Sequence, residues 1–189
     1  MDIVTFIPPH LRKKAMIACQ NEDLPVLMSG EDGTGKSAIA RWIHRHRSRS
    51  IQPLHLYDPK KDLISQILNA HQASLVFSEI TKLSQSDQKK ISKFLQSGSI
   101  KDPQSNLPKI VSVHLYFLTQ HKINDQSCDP FFYPSLFKQI KSQMIEIPSL
   151  IHRKQEFKDI CMGLLSEMTH ELKKDFIKGF EKKSARSAP

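Results

Sequence analysis

The stretch Gly30-Glu-Asp-Gly-Thr-Gly-Lys-Ser37 constrains this 189-residue chain more than any other. It follows a short apolar run, LPVLMS (24–29), and opens a segment, KSAIARWIHRHRSR (36–49), with helical periodicity. An apolar strand running through a glycine loop into a helix is the context in which Gly-x-x-x-x-Gly-Lys-Ser cradles phosphate. Glycines let backbone N–H groups turn inward, and the start of the helix adds its positive end. The residues assigned to the phosphate site are Gly30, Glu31, Asp32, Gly33, Thr34, Gly35, Lys36 and Ser37. Lys36 reaches the outer phosphates, and Ser37 is the candidate Mg²⁺ ligand. ATP or ADP, with Mg²⁺, is the expected cofactor. Asp32 puts a negative charge beside an anion site; either it lowers affinity or it faces solvent.

The rest of the chain repeats the strand–helix alternation. Strands are expected at 51–58, 73–79, 109–120 and 144–148. Helices are expected at 8–21, with Leu11, Ala15, Ile17 and Ala18 partly inward, and at 60–70, 84–98 and 129–142, the last after a turn. Ser84-x-x-Asp87 reads as the cap that opens the helix at 84 and Gly98 as the residue that stops it. A final helix is expected from Arg153 to about Phe180. This order predicts an α/β fold, a mostly parallel five-stranded sheet with helices on both faces. Residues 1–150 form the nucleotide-binding domain, 151–180 a helical segment, and 181–189 a disordered basic tail.

Composition narrows the partners. Lysine and arginine outnumber acidic residues 28 to 19, for a net charge of +9, which suits a polyanion or a solvated basic surface. Aromatics, at 7%, do not interleave with the basic clusters, so no RNA-binding signature is visible. Arg41, Arg45, Arg47 and Arg49 with Lys173–Lys183 form the best candidate DNA surface. No apolar run is long enough for a membrane span. Cys19, Cys128 and Cys161 lack metal-binding or disulfide spacing and read as reduced thiols of a cytoplasmic protein. His44, His46 and His55 form no zinc-ligand pattern.

Phosphate binding is not hydrolysis. Hydrolysis also needs a metal-positioning acid, a group that orients water and a cation for the terminal phosphate. The end of the strand Leu75-Val76-Phe77-Ser78-Glu79 is where the acids belong, and only Glu79 is one. Asp58 lies at the end of the preceding strand, but an Asp before Pro59 is better read as a local cap.

Several segments together resemble the AAA+ domain of sigma-54-dependent transcriptional activators, the bacterial enhancer-binding proteins. SGEDGTGKSAIARWIHRHRSRSIQPLHLYD is similar to their glycine-loop region, and ASLVFSEITKLSQSDQKKISKFLQSGSI to their Walker B strand and following helix. KIVSVHLYFLTQ is similar to the sensor I strand, and IEIPSLIHRKQEFKDI to a segment of the form I-x-LPPLR-x-R-x-x-DI. The resemblance covers roughly residues 10–165 and implies a three-layer P-loop NTPase of the AAA+ type. It implies roles near the phosphates for Glu79 and Gln120, and a protein partner in transcription or signalling.

The departures define the function expected. The Walker B Asp is replaced by Ser78, and sensor I reads Thr119-Gln120. The arginine-finger positions fall on Tyr133 and Gln139, with Lys138 alongside, and nothing between Pro59 and Ala73 resembles the GAFTGA loop that grips sigma-54. The sensor II arginine of the helical lid is not recognisable. Losing arginine fingers alone removes about 10³–10⁵ in rate in other NTPases. The expectation is a regulatory module that binds ATP or ADP with weak or absent turnover, as a monomer or small oligomer and not a stable hexamer. A scaffold without nucleotide and an active clamp-loader-type ATPase at DNA are the alternatives.

Overall fold

A computed structural model describes residues 7–21, 23–47, 53–123 and 130–172. Cys128, Arg49, residues 173–180 of the expected last helix, the Lys173–Lys183 cluster and the expected disordered tail lie outside them. The elements in chain order are α1 (Pro9–Gln20), β1 (Val26–Ser29), α2 (Lys36–Arg45), β2 (Leu54–Leu56), α3 (Leu63–Asn69), β3 (Ala73–Phe77), α4 (Gln85–Ser97), β4 (Ser99–Lys101), β5 (Pro108–Ile110), β6 (Val113–Thr119), α5 (Pro134–Ile140), β7 (Met144–Glu146) and α6 (Phe157–Leu172).

Five strands form one sheet in the order β2-β3-β6-β1-β7, and every neighbouring pair is parallel. The three central strands are short apolar runs because a sheet covered by helices must be apolar on both faces. Alternate residues divide between two cores. Leu27, Leu75, Phe77, Leu115 and Phe117 face α3, α4 and α5 through Ile67, Ile91, Phe94, Leu136 and Ile140. Val26, Met28, Val76, Tyr116 and Leu118 face α1 and α2 through Leu11, Ala15, Ile39 and Ile43. The result is a three-layer α/β sandwich, as the strand–helix alternation predicts. Phe77 joins Phe117 at 5.2 Å and Tyr57 at 4.7 Å in a stack within the first core.

Local signals were reliable. Ser84 Oγ accepts from the Asp87 N–H at 3.1 Å and donates to its carboxylate at 2.9 Å, closing the start of α4. Gly98 ends α4 at φ 64°, where its N–H donates to Phe94 O at 2.8 Å. A side chain there would be strained by the left-handed backbone. Asp62 caps α3 through the Ser65 N–H at 2.8 Å. Asp58 caps its own turn, its Oδ1 accepting from the Lys60 N–H at 3.0 Å.

Four expectations need correction. The strand expected over 109–120 is two: β5 pairs antiparallel with β4 in a separate hairpin, and only β6 joins the main sheet. The break falls at Val111–Ser112, where the Val111 N–H donates to Gly98 O and the Ser112 carbonyl accepts from the Gln72 N–H. The last helix begins at Phe157; Leu150–Glu156 is a tight 3-10 stretch in which Arg153 has φ −119° and pairs with Glu156 at 3.1 Å. Ile17 is exposed, because it falls off the Leu11–Ala15–Ala18 stripe of α1. Arg47 is 3% exposed and not a surface residue. Its guanidinium donates to Ala18 O from Nε at 3.3 Å and from Nη2 at 3.0 Å, and lies 5.2 Å from the Tyr116 ring centroid. A carbonyl in the last turn of α1 is a favourable site for a cation.

Cys19 and Cys161 are unpaired thiols. Burial pushes the Cys19 thiol up to about 11, against the opposing pull of Arg47. Among the described residues no helix is long and apolar enough to cross a membrane, and no His, Cys, Asp and Glu group forms a metal cluster.

Candidate nucleotide site

Parallel pairing brings the carboxyl ends of the strands to one edge of the sheet. Ser29 of β1 is in register with Thr119 of β6 and Glu146 of β7, and Phe77 of β3 with Phe117. The loop after β1 therefore meets the residues after β3, β6 and β7, the position where open α/β sheets bind ligands.

The loop is built as its sequence requires. Gly30, Gly33 and Gly35 have φ of 155°, 78° and 96°. Gly30 is fixed by contact as well as conformation: a Cβ there would stand 2.7 Å from the Ile147 carbonyl. The Gly30 N–H donates to Thr119 O at 3.2 Å, and the Ile147 N–H to Ser29 O at 2.8 Å, so the loop is pinned from both flanking strands. The Thr34 hydroxyl donates to Glu31 O at 2.7 Å and closes the turn. Gly35 caps α2, and among the described residues the N–H groups of Gly33, Gly35, Lys36 and Ser37 meet no protein acceptor. Four unsatisfied donors at a helix start fit an oxyanion.

Lys36 is 8% exposed, and its ammonium donates to Gly30 O at 2.6 Å and Glu31 O at 2.9 Å. It also lies 3.8 Å from Asp32 Oδ1. Ser37, the expected Mg²⁺ ligand, is exposed in the first turn of α2. Asp32 does not simply face solvent: although 75% exposed, its Oδ2 accepts from Gln120 Nε2 at 2.6 Å.

Glu79 is half-buried and bound on both oxygens. Oε1 accepts from the Thr81 hydroxyl at 2.7 Å and the Thr81 N–H at 3.4 Å, and Oε2 from the Gln120 N–H at 2.8 Å. Burial pushes its carboxyl up, but the Thr119 and Thr81 hydroxyls and the Gln120 and Thr81 N–H groups together outweigh burial and hold it below the usual range. The structure thus brings Glu79 and Gln120 together at the loop. Ser78 beside them is exposed and offers only a hydroxyl where Mg²⁺ chemistry favours a carboxylate.

The arginine-finger positions are used internally. The Tyr133 N–H donates to Gln88 Oε1 at 2.8 Å, and Gln139 Nε2 donates to Ser92 O at 3.2 Å, so both belong to the contact of α5 with α4. Lys138 is exposed one position away.

Apart from Gln120, sequence reasoning missed the walls of the site. A cleft of about 270 Å³ opens beside Gly30 and Glu31, lined by Gln120, Lys122, Glu146, Pro148 and His152 among others. These come from the ends of β6 and β7 and, for Pro148 and His152, from the chain that follows β7 into the 3-10 stretch, and no short-range pattern links them to the loop. A larger polar cleft of about 590 Å³, between α3 and the β4–β5 hairpin, lies elsewhere and includes none of the assigned phosphate-site residues.

The sequence profile of the sigma-54 interaction domain matches residues 11–150. The chain belongs to the sigma-54 interaction domain family. It is 29% identical over 154 residues to the nitric oxide reductase transcription regulator NorR1 of Cupriavidus necator, covering 69% of this chain and 30% of that protein. It is 24% identical over 172 residues to the DNA-binding transcriptional regulator NtrC of Proteus hauseri, covering 79% and 36%. The chain thus spans about a third of the length of the curated relatives it matches. In fold it is similar to NtrX of Brucella abortus, solved with ATP, at a TM-score of 0.69 and 17% identity over 86% of this chain and 40% of that one. It is also similar to the P-loop NTPase domain of a sigma-54 activator from E. coli, at a TM-score of 0.56 and 16% identity over 75% and 94%. In this sigma-54 interaction domain the stretch between β2 and β3 is a turn and the seven-residue α3, where the family resemblance places the sigma-54-gripping loop.

Proposed function

We propose that this sigma-54 interaction domain binds ATP or ADP at Gly30–Ser37, hydrolyses ATP weakly or not at all, and uses the nucleotide as a structural ligand or switch in transcriptional or signalling control. One observation carries the reading: the phosphate cradle is complete while the groups for turnover are absent or engaged elsewhere. The N–H groups of Gly33, Gly35, Lys36 and Ser37 without a protein acceptor, the buried Lys36 ammonium and the start of α2 all belong to this one loop, which supports phosphate binding there. Ser78 replaces the metal-positioning acid, Glu79 is held by its own neighbours, and Tyr133 and Gln139 replace cations.

Bound nucleotide supplies the phosphate chain and, with it, Mg²⁺. Lys36 and the loop N–H groups would hold the phosphates, Ser37 would supply a hydroxyl to the metal, and the cleft lined by His152 and Pro148 offers room for the rest of the ligand. NtrX, a structural neighbour, was solved with ADP and with ATP, which supports the choice of ligand. Equilibrium titration with fluorescent ADP and ATP tests binding. Saturable binding that Lys36→Ala abolishes is the expected result, with steady-state phosphate release near background. No binding at millimolar nucleotide, or binding indifferent to Lys36→Ala, overturns the site; sustained turnover overturns the loss of hydrolysis.

A further inference from the structure

We propose that Asp32 is a specificity-determining residue that makes this loop favour a nucleoside diphosphate over a triphosphate. This role rests on the nucleotide-binding function proposed above. Asp32 sits inside the phosphate loop, and its two carboxylate oxygens face different partners. Oδ1 is 3.8 Å from the Lys36 ammonium, and Oδ2 accepts from Gln120 Nε2 at 2.6 Å. The second contact clasps the loop after β1 to the residue that follows β6. With Gly30 O and Glu31 O at 2.6 and 2.9 Å, the Lys36 ammonium is surrounded by three protein oxygens, one of them charged.

A ligand phosphate drawn to Lys36 competes with these oxygens. The terminal phosphate of a triphosphate adds charge near the same ammonium, and the Asp32 carboxylate is then a like charge within a few ångströms. The clasp also engages one N–H of the side-chain amide of Gln120, the residue that follows β6, so that this amide is already paired with a carboxylate when a phosphate arrives. A diphosphate brings less charge and satisfies the loop N–H groups without contesting Asp32. Because Asp32 is 75% exposed, the repulsion is screened by salt.

Direct titration of ADP and ATP against the wild-type chain, Asp32→Asn and Asp32→Ser tests this. Asp32→Asn keeps a carbonyl acceptor for Gln120 but removes the charge; Asp32→Ser removes the charge and leaves only a shorter hydroxyl. The wild type is expected to bind ADP more tightly than ATP. Both variants are expected to tighten ATP binding by roughly two- to fivefold, the effect of removing one exposed like charge near a multiply charged phosphate, while moving ADP much less. The wild-type preference narrows as ionic strength rises. An equal shift for both nucleotides, or an unchanged ratio, sinks the role of Asp32 and leaves nucleotide binding standing. Failure of all three proteins to bind either nucleotide sinks the binding function and this role with it.

Discussion

Glu79 shows how position in the chain and position in the fold assign different work to one residue. Its place after an apolar strand marks it as a water-orienting acid. In the fold, its carboxylate ties the turn at Thr81 to Gln120 at the end of β6. Those hydrogen bonds favour the ionised form, so its folded-state pKa is depressed. A depressed carboxyl pKa stabilises the fold above the unfolded value, and the contribution is lost as pH falls through the folded value. Glu79→Gln is therefore expected to lower stability near neutral pH and to match the wild type progressively better as the medium is acidified below about pH 4. Urea unfolding midpoints across that range check it, and a pH-independent difference would contradict it.

At the scale of elements, one fully buried polar side chain ties α4 to the segment that leads into α5. Gln88 is fully buried in α4, and its amide spans the segment before α5 by donating to Phe131 O at 3.0 Å and accepting from the Tyr133 N–H at 2.8 Å. Gln66 treats Asp58 the same way, donating to its carbonyl at 2.9 Å and accepting from its N–H at 2.8 Å. Gln88→Ala strands a buried backbone donor and leaves a void. The expected cost is about 1–3 kcal/mol, read as a fall in the denaturant midpoint with an unchanged slope. A cost near zero would mean that the segment before α5 finds another partner. The caps of α4 at Ser84 and Gly98 are legible in the sequence because each acts within four residues; the tie that Gln88 makes to Phe131 and Tyr133 is not, because those partners are more than 40 residues away.

At the scale of the molecule, a parallel sheet with two cores collects five strand ends at one edge, and that edge carries the proposed nucleotide site. The opposite demand falls on α5. The residues that resemble arginine-finger positions are turned to α4 and the core, where they serve the fold of one chain and not the neighbour's phosphate. The chain is accordingly expected to remain a monomer or small oligomer with and without nucleotide, as measured by sedimentation velocity. A stable hexamer would contradict this.

The sequence by itself determined the strand–helix order, the five strands of the sheet, the glycine loop in its strand-to-helix setting and both ends of α4. Periodicity, caps and glycine conformation act over a few neighbouring residues, so they can be read along the chain. It did not show that Arg47 is buried against the end of α1, that the run from 109 to 120 breaks into a hairpin arm and a sheet strand, or that Glu79 is held from β6. Nor did it show the clasp of Asp32 by Gln120, which joins residues 88 positions apart. Those outcomes belong to the tertiary structure, because only the register of β1 and β6 decides which side chains meet above the loop and whether a charge there faces water, a lysine or an incoming phosphate.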